Sequence, residues 1–512
     1  MNNPTPVFST SQIREVERIT INQLNTPSLM EQAGLAAATL AKEAMLTSTM
    51  QRVLIVAGPG NNGGDALVVA RYLKHWGYEV TVIFTGNESK LSVDAKQAFE
   101  KWIAVEGTIV QCIPTNQQWD IIIDGLFGIG LTSTRPLCDD YQALIHSINQ
   151  MKLPVLSLDV PSGLDADTGN IAGAAIKAMI TVTFIGFKPG LLTHDGCNYS
   201  GKIALCNLGL NPTTLVTPHS WLLNFSFIES CLPTPRLINS HKGTYGSVGV
   251  IGGTAGMVGA AILAGTAALK LGAGRVYIGL IAKDTLSVDV QQPELMLHPI
   301  DHLFELNHIN SLIVGPGLGT ELAACIYLEK ALQLSIPIIL DADALNLIAR
   351  YPELQELICS RQLATILTPH VAEAARLLQV DTATVQANRI NATESLVKKF
   401  NCAVVLKGAG SICGFPNGDI YFNTTGNPGL SSAGTGDVLS GIIAALIAQN
   451  LKPENALLLA VYLHGAAADA LLKTLHGPIG MTATKIIDSA RYLINQWVYG
   501  TDVSSRYLRL FL

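Results

Sequence analysis

The chain has 512 residues, of which 48% are hydrophobic and 14% charged, a composition that excludes a disordered or fibrous protein and predicts a well-buried globular one with more than one domain. A net charge of −6 without any Lys/Arg run gives no electrostatic footprint for nucleic acid. The nine cysteines are scattered, with no C-x-x-C pair and no zinc spacing, which predicts reduced thiols and a cytoplasmic location. Residues 1–20 have neither a basic nor an apolar leader pattern, so no signal peptide is expected. The most membrane-like stretch, 256–274, is rich in glycine and alanine and contains Lys270. It predicts a packed core helix, with no membrane span.

From residue 52 onward, apolar runs suited to buried strands alternate with helix-like stretches: 53–57, 80–84, 121–124, 155–159 and 182–185. That alternation predicts right-handed βαβ units and an open parallel sheet covered on both faces, in a first α/β domain over 1–215. Between 211 and 239 the pattern lapses around Pro212, Pro218, Pro233 and Pro235, which predicts a linker. A second series follows at 247–251, 276–280, 311–314, 337–340, 364–367 and 403–406, then an apolar helical stretch at 438–448. It predicts a second α/β domain over 225–512, with no repeat shared between the halves.

The first strand runs into Gly58-Pro59-Gly60-Asn61-Asn62-Gly63-Gly64-Asp65. Formally this is the G-x-G-x-x-G of a dinucleotide-binding turn. The second strand, however, ends in Phe84-Thr85-Gly86, without the acid that grips a ribose in dehydrogenases. Polar clusters cap two later strands, at 124–130 (Asp-Gly-Leu-Phe-Gly-Ile-Gly) and 159–165 (Asp-Val-Pro-Ser-Gly-Leu-Asp). Their oxygens suit a hard, oxygen-ligated cation; taken singly, each reads equally well as a strand-end turn.

In the second half, Asn427-Pro428-Gly429 and Gly434-Thr435-Gly436-Asp437 run directly into the apolar helix. Unpaired N–H groups and the positive end of the helix dipole favour a phosphate there, and glycines let it approach. The same field suits Asp437 to act as a general base toward a substrate hydroxyl, though an acid in a first helical turn is also an ordinary structural choice. Further loops follow predicted strands: Gly315-Pro316-Gly317-Leu318-Gly319, Asp341-Ala342-Asp343-Ala344-Leu345-Asn346, Thr368-Pro369-His370 and Lys407-Gly408-Ala409-Gly410-Ser411. Open α/β sheets place their ligands at such carboxyl ends.

With Gly252-Gly253-Thr254-Ala255-Gly256-Met257-Val258-Gly259-Ala260-Ala261, these motifs make 225–512 resemble the ADP-dependent NAD(P)H-hydrate dehydratase family, a ribokinase-like α/β fold. The resemblance implies that Ala260, Gly317, His370 and Asp437 contact the hydrated nicotinamide nucleotide, while Lys407, Gly408, Ala409, Gly410, Ser411 and Gly436 hold the adenine nucleotide. It further implies phosphoryl transfer from ADP to the C6 hydroxyl with Mg2+, Asp437 taking the proton, followed by loss of phosphate. Val371-Ala372 stands where the family usually has Pro-Gly, and Thr484-Lys485 where an Asp is common.

Residues 1–215 resemble the NAD(P)H-hydrate epimerase family, a Rossmann-like three-layer α/β/α domain, through Asn-Asn-Gly-Gly-Asp, Asp-Gly-Leu-Phe-Gly-Ile-Gly-Leu and Asp-Val-Pro-Ser-Gly-Leu-Asp. By that resemblance Asn61, Asn62, Gly63, Gly64, Asp65, Gly128, Ile129, Gly130, Leu131, Thr132, Ser133, Thr134 and Asp159 bind substrate. Asn62, Asp124 and Ser162 ligate K+, and Asp159 is the acid/base at C6, with Lys188 a weaker candidate. Ala66 replaces a usual glycine. An epimerase fused to a dehydratase fits a substrate that arises as R and S forms, so the two resemblances imply two-step repair of NADHX and NADPHX by a homo-oligomer that uses ADP and binds neither nucleic acid nor membrane. The rival reading is a vitamin or sugar kinase fused to a nucleotide-sensing module.

Overall fold

The computed structural model describes residues 4–23, 28–47, 49–283 and 287–500. It divides into two compact units, one over Pro6–Ser220 and the other formed by the residues up to Thr5 together with those from Trp221 onward.

The first unit is built on a seven-stranded sheet in the spatial order Thr108–Val110, Glu79–Phe84, Arg52–Ala57, Ile121–Gly125, Val155–Leu158, Ile180–Phe184 and Lys202–Cys206. Every pairing is parallel. Alternate residues of the first strand serve opposite faces: Val53, Ile55 and Ala57 join one apolar cluster, Leu54 and Val56 the other. Strands buried on both sides read as unbroken apolar runs because neither set of side chains meets water. The edge strands Thr108–Val110 and Lys202–Cys206 lie outside the predicted runs, since partly exposed strands lack that signal. Val155–Leu158 stops one residue before the predicted end because Asp159 turns to φ +64°.

The second unit contains an eleven-stranded sheet, nine of whose strands run in the order Ile420–Asn423, Ser411–Gly414, Ala403–Leu406, Thr365–Leu367, Ile338–Leu340, Ser311–Val314, Ser247–Gly252, Arg275–Leu280 and Met296–Pro299. Six consecutive pairings from Ala403–Leu406 to Met296–Pro299 are parallel, but Ser411–Gly414 and Ile420–Asn423 are antiparallel. The sheet is therefore mixed. Part of the predicted linker is also structured: Phe225–Ser230 is a helix capped by Asn224, and Ile228 and Cys231 are buried in the core.

Helices Val258–Lys270 and Thr435–Ala448 pack against one face. Thus the glycine- and alanine-rich stretch is a core helix, as expected. One helix, Pro453–Leu475, is long and apolar enough to cross a membrane by length and composition, a property the sequence reading placed elsewhere. Its Leu457, Leu459, Leu463 and Ala467 are fully buried among the core residues, which accounts for its apolarity without a bilayer.

Gly441 fixes how closely those two site-bearing helices approach. A Cβ there would stand 2.3 Å from the backbone oxygen of Ala264 and 2.7 Å from Ala267 Cβ. Overpacking against backbone costs about 1–3 kcal/mol, which exceeds the roughly 1 kcal/mol that alanine gains over glycine in a helix. Gly441→Ala should therefore lower the thermal unfolding transition of the second unit, by roughly 2–4 °C per kcal/mol lost. A raised transition would show that the helices can separate without cost.

Candidate active sites

The first site lies where the strand order reverses, at the carboxyl ends of Arg52–Ala57 and Ile121–Gly125, the position where such sheets bind ligands. Gly58 donates to the Gly125 oxygen at 3.1 Å, and a Cβ on it would fall 1.7 Å from the Leu126 oxygen. Only glycine fits. The chain then enters helix Asn61–His75, whose Asn62 amide donates to the oxygens of Phe127 (2.9 Å) and Leu158 (3.1 Å). That one side chain joins three strand ends. Its own Oδ1 is buried and without a partner among the described residues.

Asp124 is 1% exposed. Its Oδ1 accepts from Leu126 N–H (3.2 Å) and the Ser162 hydroxyl (2.5 Å), and its Oδ2 from the Ser157 hydroxyl (2.8 Å) and Ser162 N–H (2.9 Å). Burial pushes this carboxyl above its ordinary range, against the pull of those bonds. Asp124 and Ser162 thus sit behind the cavity wall, linked to it by Phe127 N–H donating to Ser162 Oγ at 2.8 Å.

The cavity measures about 510 Å3 and is lined by Asn61, Asn62, Asp65, Gly128 to Leu131, Asp159 and Lys188. Of the other expected binders, Gly63 and Gly64 are buried in the first helical turn, Thr132 and Thr134 face solvent, and Ser133 is bound to Asp165 Oδ2 at 2.8 and 3.0 Å. Lys188 is fully buried; its ammonium donates to Asp159 Oδ1, to Thr183 Oγ1 (2.9 Å) and to the Phe184 oxygen (2.7 Å). Asp159 and the β-branched Ile185 both hold left-handed backbone, at φ +64° and +68°. Each costs about 1–3 kcal/mol and is a form of strain that collects at functional sites. Burial and then the Asp159 charge push Asp65 well above its ordinary value.

The second site also lies at a reversal of strand order, beside Ser247–Gly252 and Ser311–Val314. Here the Gly-Gly-Thr and Gly-Pro-Gly loops are laced together: Gly253 N–H donates to the Pro316 oxygen (3.0 Å) and Thr254 N–H to the Gly317 oxygen (2.6 Å). Ala260 occupies the first turn of Val258–Lys270 and is half-buried. The next strand end supplies Asp341, 1% exposed, whose Oδ1 accepts from Lys407 Nζ at 2.8 Å and whose Oδ2 accepts from the Ser440 hydroxyl at 2.7 Å. Gly434 caps helix Thr435–Ala448 at φ +86°, a conformation that favours glycine. Next to it, a Cβ on Gly436 would stand 3.2 Å from Lys407 Nζ, which places the ammonium at the positive end of the helix.

His370 caps helix Val371–Leu378: its Nδ1 accepts from Ala372 N–H at 3.0 Å, while Glu373 Oε2 accepts from His370 N–H at 2.7 Å. Glu373 is also 4.0 Å from Lys407 Nζ. Burial works to raise Asp341, but the Lys407 charge and its hydrogen bond hold it below the ordinary carboxylate range. Burial likewise opposes the Lys407 charge, yet Asp341 and Glu373 outweigh it and raise the lysine. Asp437 is pushed up to about 7 by burial and then by the Asp341 charge. Glu373 is pushed up to about 7 by burial, with Lys407 pulling the other way. Burial and Lys407 lower His370. His370, Lys407, Gly436 and Asp437 are therefore brought together around Asp341.

Several partners in this site carry no assignment from sequence. Glu373 stands at the spacing of a capping box after His370, a signal that was legible. Arg389 has no such signal. It is 2% exposed, and its Nη2 donates to the oxygens of Leu406 (3.2 Å), Lys407 (3.5 Å) and Gly410 (3.5 Å), holding the loop from Lys407 to Ser411 from behind. His464 is 8% exposed, its Nε2 has no partner among the described residues, and burial lowers it to about 4. Another cavity, about 880 Å3, is lined by residues of 232–236, 269–272 and 491–499 among others and includes none of the expected site residues.

Residues 248–491 match the family model described as NAD(P)H-hydrate dehydratase, and 26–190 match that of the YjeF-related protein N-terminus. The chain is 37% identical over 504 residues to the bifunctional NAD(P)H-hydrate repair enzyme of Coxiella burnetii, covering 96% of this chain and all of that protein. It is 36% identical over 499 residues to the enzyme of the same description from Escherichia coli, covering 96% and 94%. A crystal structure of the ADP/ATP-dependent NAD(P)H-hydrate dehydratase of Bacillus subtilis, 31% identical, covers 54% of this chain and 97% of its own with a TM-score of 0.48. Both halves are thus accounted for, and the kinase and dehydrogenase readings fall away. The chain belongs to the bifunctional NAD(P)H-hydrate repair enzymes, with an epimerase domain followed by a dehydratase domain.

Proposed function

We propose that the dehydratase unit binds the hydrated nucleotide against Ala260, Gly317, His370 and Asp437 and binds ADP against Lys407 to Ser411 and Gly436, with Asp437 as general base. The observation that carries this reading is a carboxyl pushed up to about 7 in the first turn of a helix whose start adjoins the Lys407 ammonium. A base works best with a pKa near the working pH. As the terminal phosphoryl group passes to the C6 hydroxyl oxygen, its bond to AMP breaks and the hydroxyl proton moves to Asp437. Phosphate then leaves with the C6–O electron pair, the ring nitrogen supplying electrons, and loss of the neighbouring C5 proton restores NAD(P)H. Lys407 and the N–H groups of the Gly-Thr-Gly turn receive the charge of the phosphates. No cluster of three or more potential metal-ligating side chains occurs among the described residues. Mg2+ would accordingly be held through the nucleotide's phosphates, where it supplies charge neutralisation.

Asp437→Asn keeps the shape but cannot accept a proton. Its kcat should fall roughly 100-fold to 10,000-fold while ADP binding persists. Because the carboxylate is the active form, wild-type kcat/KM should rise with pH through about 7, and this limb should shift and lose amplitude in the variant. Glu373 titrates in the same range, so the limb reports the cluster. Turnover and pH profile like wild type would remove Asp437 from this role. One AMP and one phosphate should appear per NAD(P)H, whereas a stable phosphorylated product would instead indicate a kinase.

In the epimerase unit we propose that substrate lies in the cavity between Asn61–Asp65 and Gly128–Thr134, with Asp159 handling the proton at C6. K+ would be held by Asn62, Asp124 and Ser162, where it offsets pyrophosphate charge. The orphaned, buried Asn62 Oδ1 supports a cation there, because an unsatisfied buried acceptor is costly. Replacing K+ by tetramethylammonium should raise KM for epimerisation and leave dehydration of the S form unchanged; an unaltered KM would remove the cation from this site. The nine free thiols support a reducing cytoplasm as its compartment.

A further inference from the structure

We propose that Glu17 is a second acid–base group of the epimerase, working with Asp159 in the same cavity. The proposal rests on the reading of that cavity as the epimerase site. Glu17 belongs to helix Thr10–Gln23, which precedes the stretch matched by the family model. Ile13, Arg14, Glu17 and Ile21 recur at helical spacing and line the cavity together, so one face of this helix closes it. The charged groups that line the cavity with Glu17 are Arg14 on its own helix, Asp65 on Asn61–His75, Asp94 on Val93–Ala104, and Asp159 and Lys188 beyond the strand ends. The unpartnered Oδ1 of Asn62, a residue 7% exposed, marks the same cavity as built for a ligand.

Inversion at C6 requires two proton carriers. The C6–O bond breaks, the hydroxyl leaving as water with a proton from one carboxyl while the ring nitrogen lone pair forms C6=N+. A water molecule then adds to the opposite face and its proton passes to the second group. Oxygen is exchanged, one proton has moved between the carriers, and nothing is oxidised or reduced. The leaving and entering oxygens occupy opposite faces, so one carboxyl cannot serve both. Lys188 is not the second carrier, because its three donors are spent on Asp159, Thr183 and Phe184. Burial and then the Asp159 charge raise Glu17 above its ordinary range and Asp65 well above its own.

The test uses the full chain without ADP and with separated R and S epimers of NADPHX, following inversion by chromatography across pH. Glu17→Gln should lower kcat about 100-fold or more, leave KM nearly unchanged and remove one limb of the pH profile, with Glu17→Asp recovering part of the rate. In 18O-water, label should enter the hydroxyl in step with inversion. Unfolding of the first unit, followed separately, confirms that each variant folds. Wild-type kcat and pH profile in Glu17→Gln, with Asp159→Asn inactive, would overturn the role of Glu17. So would a rise in KM alone. Normal inversion in both variants would overturn the assignment of the cavity, and this inference with it.

Discussion

Lys407 lies 2.8 Å from Asp341 and 4.0 Å from Glu373, and the proton chemistry of the C-terminal site follows from one ammonium serving several buried carboxyls. Ionising a buried carboxyl costs several kcal/mol unless a cation is close. Asp341, in direct contact, is held ionised; Glu373 and Asp437, one step further off, are pushed to about 7. The same scarcity recurs in the first unit, where Lys188 contacts Asp159 while Asp65 and Glu17 are raised. Divergent environments for neighbouring carboxyls are how one site supplies both acid and base near neutrality.

The sheets determine where this happens. Strands covered on both faces admit few polar groups along their length, and those present, such as Ser157 and Thr183, are hydrogen-bonded, so charged side chains gather toward the carboxyl ends. In each unit the candidate site falls at the reversal of strand order; in the first the loops leave a cavity, and in the second the Gly-Gly-Thr and Gly-Pro-Gly loops are laced together. Gly58 and the Gly-Pro-Gly turn let backbone pass within contact distance of neighbouring loops, and helices begin beside them at Asn61 and Thr435.

Holding loops in such conformations takes support from behind. Arg389 binds the carbonyls of the Lys407–Gly410 turn, Asn62 gathers two strand-end carbonyls, and the capping box of His370 and Glu373 fixes the entry to its helix. These contacts satisfy buried backbone groups that would otherwise be costly. They also leave the ligand-facing side of each loop set before substrate arrives, which is the condition for electrostatic stabilisation without reorganisation.

Buried strands and motif loops were legible in the sequence because each depends on local properties: unbroken apolarity for strands such as Ser311–Val314, and glycine spacing for turns such as Gly434–Asp437. Ser411–Gly414 and Ile420–Asn423 were not, since they are short strands whose register comes from pairing antiparallel with each other and not from the alternation of strand and helix. Nor did spacing reveal Arg389, whose carbonyl partners Leu406, Lys407 and Gly410 are brought to it only by the fold. Sequence proximity could place Asp437 at a helix start, but only the fold could set Asp341, Glu373 and Lys407 around it. Its proton affinity depends on distance and burial, and neither is a property of the linear chain.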